Sequence, residues 1–367
     1  MTQPEQPSSP DPTPAGQPSS VATTASPAAA TGPTVPAQIV IKQSGAGRFV
    51  SWLGWMGFLL CIPIILGMSA AYQDYFNRSQ GIQERYHSRS KTAKQKVAII
   101  EVAGAIMQSD GFVKRQIDRV REDENVKAIV LRVNSPGGSV SASDYILHHL
   151  NELREDRELP LVVSMGGIAA SGGYYVAMAV GDEPDSIFAE PTTTTGSIGV
   201  IIPHYDVSAL MKEFGVKDDS FVSNPRKQIL SMTRPASEED REVIQSYLMQ
   251  AFNRFKTVVK SGRPKFRDDE AALNQVATGE IFAAEKAEEL GLVDEIGFIE
   301  AAIDRAVELA GVKGKVRVVE YRRPATLMSS LGLAQATSAP SWVDSMLELS
   351  VPKAYYMFST APGFRLE

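Results

Sequence analysis

Short apolar runs alternate with longer amphipathic stretches from about residue 96 to residue 312. Residues 97–102, 128–133 and 161–165 are mostly aliphatic and β-branched, the pattern of strands buried in a sheet. Between them, residues 113–121 and 140–153 repeat their apolar positions at helical spacing. In the second, Ile146, Leu147, Leu150 and Leu153 share one face. Residues 174–180 continue as a helix, and residues 186–189 and 198–202 as strands. This alternation predicts an α/β domain with a largely parallel sheet.

A long helix is expected over 238–261, with Ser237 as N-cap, Glu238, Glu239 and Asp240 in the first turn, and Gly262 at its end. Its wide apolar stripe, from Val243 through Tyr247, Ala251 and Phe255 to Val259, reads as core or subunit interface. Two shorter helices, 283–290 and 300–310, bracket a strand at Leu292-Val293. Beyond residue 312 a strand and an irregular tail are expected, ending in an apolar segment at 351–358.

The N-terminal part differs in kind. Residues 1–47 are Pro, Ser, Thr, Ala and Gln with few large apolar groups, too little to offset ordering entropy, and are expected to be disordered. Residues 49–72 carry no charge and are long enough to cross a bilayer. An uncleaved anchor at 48–72 fits better than a cleaved signal peptide, because the run is long and nearly fifty residues precede it. Residues 73–95 are polar and read as a juxtamembrane linker ahead of a domain at 96–312. Lys42 and Arg48 before the span balance Arg78 and Arg85 after it, so charge gives no orientation.

The net charge of −6 and the lack of a basic stripe argue against a nucleic-acid partner. Cys61 is the only cysteine and lies in the apolar span, which excludes an intramolecular disulfide. With four histidines, a histidine metal site is not expected; His148-His149 read as a partly solvated helix face.

Three small-residue turns carry the candidate chemistry. Ala169-Ala170-Ser171-Gly172-Gly173 joins a strand to a helix, where Ser171 is either a nucleophile or a cap. Asn134-Ser135-Pro136-Gly137-Gly138-Ser139 follows a strand, and its glycines let backbone amides approach a ligand, as an oxyanion hole requires. The hydroxyls of Thr193-Thr194-Thr195-Gly196-Ser197 either hold a lysine amine or satisfy the turn's own backbone. A serine needs a base: His204 with Asp206 is one option, and Lys212, Lys217 and Lys227 are others.

Together these motifs resemble the signal peptide peptidase A family. The resemblance rests on Arg132-Val133-Asn134-Ser135-Pro136-Gly137-Gly138, the Ser171 segment, Thr195-Gly196-Ser197-Ile198-Gly199-Val200 and Gly279-Glu280-Ile281-Phe282, and spans residues 97–310. It implies a Clp-protease/crotonase-like spiral fold behind a transmembrane helix, and a serine endopeptidase with a Ser/Lys dyad that degrades remnant signal peptides. On that basis Ser171 matches the nucleophile, Lys227 the general base, Gly138 and Gly172 the oxyanion donors, and Ser197 a group that positions the lysine. The resemblance implies no cofactor or metal, peptide substrates, a lipid bilayer as surroundings and no nucleic acid. It also implies a ring-shaped homo-oligomer in which neighbouring protomers share the dyad, and a catalytic domain on the extracytoplasmic side; in such an enzyme the apolar tail from Val351 is expected to contact a neighbour or to occupy a substrate groove. The segment Ser223-Asn224-Pro225-Arg226-Lys227-Gln228 keeps the lysine but departs from the family's pattern around it. A crotonase-like acyl-CoA enzyme and an inactive membrane quality-control scaffold are the alternatives.

Overall fold

The computed structural model describes residues 45–76, 81–323 and 354–357. Helix α1 (Gly45–Phe76) contains the apolar stretch Phe49–Ser69, 21 residues with mean hydropathy 2.1, long and apolar enough to cross a membrane. The expectation of disorder over residues 1–47 falls almost wholly outside the described residues; the last three, from Gly45, open α1.

In the rest of the chain the order is β1 (Gln83–Arg89), β2 (Lys96–Ala103), α2 (Phe112–Glu122), β3 (Val126–Ser135), β4 (Gly137–Ser139), α3 (Val140–Arg157), β5 (Leu161–Ala170) and α4 (Gly172–Ala177). Then come β6 (Ile187–Ala189), β7 (Thr194–Gly196), α5 (Ser208–Glu213), α6 (Glu238–Gly262), α7 (Glu270–Val276) and β8 (Ile281–Ala283). The remainder is α8 (Ala284–Leu290), β9 (Glu295–Ile296), α9 (Ile299–Leu309), β10 (Arg317–Arg322) and β11 (Tyr355–Met357). The strand order is β1-β10-β2-β3-β5-β6-β9, parallel except for the β1–β10 edge.

The two-residue period of the strands sorts their side chains to opposite faces. Ala98, Ile100, Ile129, Leu131, Val163 and Met165 join one apolar cluster with α3, α4 and α6 residues. Val97, Ile99, Ala128, Val130 and Val162 join a second cluster with Ala302, Ile303 and Ala306 of α9. A sheet buried on both faces explains why these strands read as continuous apolar runs.

Strand β5 serves two neighbours in succession. Val163–Met165 pair with β6, whereas Ile168–Ala170 pair with β7, and between them lie Gly166 and Gly167. The second half carries the chain away from β6 and ends at Ser171. This mixed α/β arrangement around a mostly parallel sheet is the Clp-protease-like fold expected from the sequence.

Four expectations shift. Residues 73–95 are not only a linker: β1 lies within them and pairs with β10 at the sheet edge, where a polar strand is tolerated. Residues 198–202 form no strand; Ile201 alone makes a bridge, and the adjacent β7 takes the pairing with β5. Leu292 and Val293 are buried as a core plug after left-handed Gly291, and the strand is Glu295–Ile296. Along α6 Ser237 is the N-cap as expected, and the structure adds a capping box with Asp240, but the apolar stripe divides. Ala251, Phe255 and Val259 are buried, while Val243 and Tyr247 are exposed.

Candidate functional site

Ser171 sits at the junction of β5 and α4 with φ 54° and ψ −115°. A non-glycine residue there costs about 1–3 kcal/mol and persists only when its surroundings hold it. The Ser171 N–H donates to the Gly196 carbonyl at 2.8 Å, and its carbonyl accepts from the Tyr175 N–H at 2.8 Å. The glycines that follow are a packing requirement. A Cβ on Gly173 would lie 2.6 Å from the Ser135 carbonyl oxygen, and one on Gly172 would lie 2.6 Å from Ser143 Oγ. Only glycine lets α4 start so close to the ends of β3 and α3.

The second glycine pair meets the first. Gly137 has φ 101°, and a Cβ there would come within 2.7 Å of the Gly172 nitrogen. A Cβ on Gly138 would come within 2.0 Å of the Ile106 carbonyl oxygen. The loop is pinned by Ser135 Oγ, which accepts from the Gly137 N–H at 3.1 Å, and by Ser139 Oγ, which caps α3 through the Ala142 N–H at 3.2 Å. Gly138 and Gly172, the two expected oxyanion donors, thus belong to touching backbone segments beside Ser171.

Ser171 and Ser197 line one open cavity of about 410 Å³ together with apolar groups that include Leu248, Met249, Phe252 and Met357. Ser197 also has positive φ, 53°, and its N–H donates to the Glu280 carbonyl at 2.6 Å. Two other hydroxyls of its turn serve the backbone. Thr193 Oγ1 donates to the Gly166 carbonyl and Thr195 Oγ1 to the Ala169 carbonyl, both at 2.6 Å.

The base candidates lie elsewhere. Lys227 is exposed in a 3-10 turn, Pro225–Gln228, and is not among the residues lining the Ser171 cavity. Lys212 and Lys217 are exposed as well. His204 lines a separate cavity with Leu230 and Arg241, and its Nε2 lies 3.3 Å from the Ser231 carbonyl oxygen. The Asp206 carboxylate accepts from the Ser208 N–H at 2.9 Å, so no histidine–aspartate pair stands beside Ser171. His148 and His149 on α3 both reach the Glu152 carboxylate, at 3.2 and 2.8 Å. This partly exposed patch does not line the Ser171 cavity.

One participant was foreseen only as part of the apolar tail, not as a residue. Tyr356, in the apolar tail, is fully buried. Its ring stacks on Tyr175 at 4.9 Å and tilts against Phe255 at 4.6 Å, while its hydroxyl donates to the Ala251 carbonyl at 2.7 Å. Tyr175 is held in turn: its hydroxyl donates to Asp144 Oδ1 at 2.5 Å, which also accepts from Arg254 Nη2 at 2.9 Å. Burial pushes both phenols well above their ordinary pKa, so they stay protonated as donors. The signal for Tyr356 was only an apolar cluster near the C-terminus; no periodicity marks which groove it fills.

The profile of Peptidase family S49 matches residues 154–313, and that of Clp protease matches residues 86–194. A protein named "Putative signal peptide peptidase SppA" from Enterococcus faecium is 37% identical over 215 residues, 59% of this chain and 60% of that protein. "Protease 4" of Salmonella typhi is 37% identical over 225 residues, 59% of this chain and 35% of its own length. A "Putative protease" of Synechocystis sp. is 34% identical over 236 residues, covering 64% of this chain and 82% of that protein. The chain belongs to peptidase family S49. Its match to the family contains Ser171, Ser197 and Lys227, and the Clp-protease match contains Gly138 and Ser171. The chain spans 60% and 35% of the lengths of the Enterococcus and Salmonella relatives.

Proposed function

We propose that this S49 member is a membrane-anchored serine endopeptidase that cuts extended apolar peptides, remnant signal peptides among them. The observation that carries this reading is the strained Ser171, fixed against the Gly137-Gly138 loop and lining a cavity with apolar walls at Leu248, Phe252 and Met357. The name of the Enterococcus relative supports the substrate class. Helix α1 would hold the domain at the bilayer, on its extracytoplasmic side, and so raise the local concentration of membrane-derived peptides.

In this reading Ser171 Oγ attacks the scissile carbonyl, and the Gly138 and Gly172 amides take up the oxyanion. Losing one such donor costs about 3 kcal/mol of barrier. The base is Lys227 of a neighbouring protomer in a ring, positioned by Ser197. Two features support assembly: Lys227 does not line the Ser171 cavity of its own chain, and the first half of α6 exposes Val243 and Tyr247. The lysine amine takes the serine proton, passes it to the leaving amine, and then activates the water that hydrolyses the acyl-enzyme. Fluorophosphonate labelling of the full chain in detergent, beside Ser171→Ala, tests the reading. Labelling of the unaltered chain only is expected; an unlabelled Ser171 together with no peptide hydrolysis would overturn it.

A further inference from the structure

Asn134 stands four residues before Gly138, yet no step of the proposed reaction uses it. It is exposed near the end of β3, so it is not there to fill the core. The neighbouring strand is irregular at this point. Val133 pairs with Met165 and Ser135 with Ala169, so one residue of β3 faces three of β5: Gly166, Gly167 and Ile168. Such a bulge leaves main-chain groups without ladder partners, bends the strand that carries it and re-aims the side chains beyond it.

Side chains make up the missing bonds. Asn134 Oδ1 accepts from the Ile168 N–H at 3.2 Å, and Thr193 Oγ1 donates to the Gly166 carbonyl at 2.6 Å. Arg132 braces the strand just before the bulge: its Nη1 donates to Ser164 Oγ at 2.9 Å and its Nη2 to Glu190 Oε1 at 2.5 Å. Little room is left, for a Cβ on Gly166 would lie 3.1 Å from Arg132 Nη2 and 3.3 Å from Asn134 Cβ. The bond from Asn134 differs from the others in what it joins. Ile168 lies three residues before Ser171, on the part of β5 that pairs with β7. Asn134 leads through Ser135 and Pro136 into Gly137-Gly138, and its own carbonyl accepts from the Gly104 N–H at 3.0 Å. One short side chain thus ties the strand that presents the nucleophile to the strand that presents the oxyanion loop.

We infer that Asn134 is a positioning residue: its carboxamide oxygen fixes the bulge of β5 and so holds Ser171 Oγ in register with the Gly138 and Gly172 amides. This inference rests on the peptidase reading above. Asn134 touches no reacting atom and acts through Ile168. Rates are steep in such placement, since a displacement of about 1 Å costs roughly 100-fold. What the place requires is an acceptor oxygen on a short stem. Aspartate has the same shape and keeps that acceptor, and the Arg132 guanidinium, packed against the same Gly166, offsets its charge. Alanine has no acceptor and leaves the Ile168 N–H unheld.

The test sets Asn134→Ala and Asn134→Asp beside the unaltered full chain in detergent. Three properties are read: the second-order rate of fluorophosphonate labelling at Ser171, kcat and KM for a casein-derived peptide, and the unfolding temperature. Asn134→Ala is expected to label and to turn over roughly 10-fold more slowly. Its KM and unfolding temperature should match the unaltered chain, because the side chain is exposed and adds little to the core. Asn134→Asp is expected to recover most of both rates. A merely structural bond would instead lower the unfolding temperature and leave the labelling rate of the folded chain as it was. That result, or equal rates in the alanine and aspartate variants, overturns the inference and leaves the peptidase reading in place. If the unaltered chain is neither labelled nor active, the peptidase reading falls and the inference with it.

Discussion

The two halves of the expected dyad are built to different standards. Ser171 is 1% exposed, held by backbone hydrogen bonds on both sides and walled by glycines that tolerate no added carbon. Lys227 lies in the stretch between β7 and α6, where α5 buries none of its residues and Phe214 and Phe221 are 75% and 96% exposed. A nucleophile must be placed to a fraction of an ångström, and a parallel-sheet core supplies that rigidity. Among the described residues, the segment bearing the base packs little against the rest of the chain, and its exposed aromatics, Phe214 and Phe221, are where the proposed assembly would have to cover it.

The largest effect that can break this comparison is on catalysis. Ser171→Ala and Lys227→Ala should each lower peptide hydrolysis about 10⁴-fold or more. Mixing the two variants and letting subunits exchange should restore a substantial part of the activity, because some cavities then meet an intact lysine from the other variant. No recovery in mixtures that demonstrably exchange subunits would place the base within one chain or on another residue.

Assembly sharpens the contrast next. Tyr247→Asp places a charge on the exposed half of α6, away from the buried Phe255 and Val259. The expected outcome is dissociation to smaller species in analytical ultracentrifugation, with activity lost and the unfolding temperature of the released protomer unchanged. An intact assembly would show that this stripe meets no neighbour.

Glycine substitutions compare the regions directly. Gly138→Ala forces a carbon to within 2.0 Å of the Ile106 carbonyl oxygen, whereas Gly215, with φ 68°, has open space around it. Gly138→Ala should destabilise by about 3 kcal/mol or more. Gly215→Ala should cost about 1 kcal/mol, from backbone strain alone. Denaturant titration of the two variants measures the difference; equal losses would mean that the Lys227 region is as tightly specified as the Ser171 turn.

The same division governs what could be read beforehand. The strands around Ser171 were legible because two-sided burial writes itself as apolar runs such as Ala128 to Leu131, and the glycines because close approach excludes every other residue. Strand β1 was not legible, since an edge strand with Gln83, Arg85 and Arg89 exposed looks like a polar linker. Neither was β7, whose Thr193–Thr195 neighbourhood spends its hydroxyls on backbone carbonyls of β5, a distant pairing with no local signature. Tyr356 was illegible for the same reason: its pocket is assembled from α4, α6 and β4, far away in sequence.

The smallest predicted effect lies where the polar edge strand meets the core. Lys96 Nζ reaches Glu84 Oε2 of β1 at 2.7 Å and Asp123 Oδ2 at 2.8 Å. Burial is the largest single influence on each of Lys96 and Asp123 and opposes its charge, but their hydrogen bonds and mutual attraction outweigh it. The lysine is therefore raised above its usual 10.5 and the aspartate lowered below its usual 3.8. The lowered acid contributes stability that is present above about pH 4 and is lost as pH falls through its folded value. The raised lysine contributes stability that is complete below about pH 10 and is lost as pH rises through its folded value. Lys96→Met should thus lower stability by about 1–2 kcal/mol, the worth of hydrogen bonds to a charged group. The gap from the unaltered chain should stay constant between about pH 5 and pH 9 and close at either extreme. Unfolding temperatures across that range measure it, and a gap that changed near neutral pH would mean that a group other than these three governs the β1 edge.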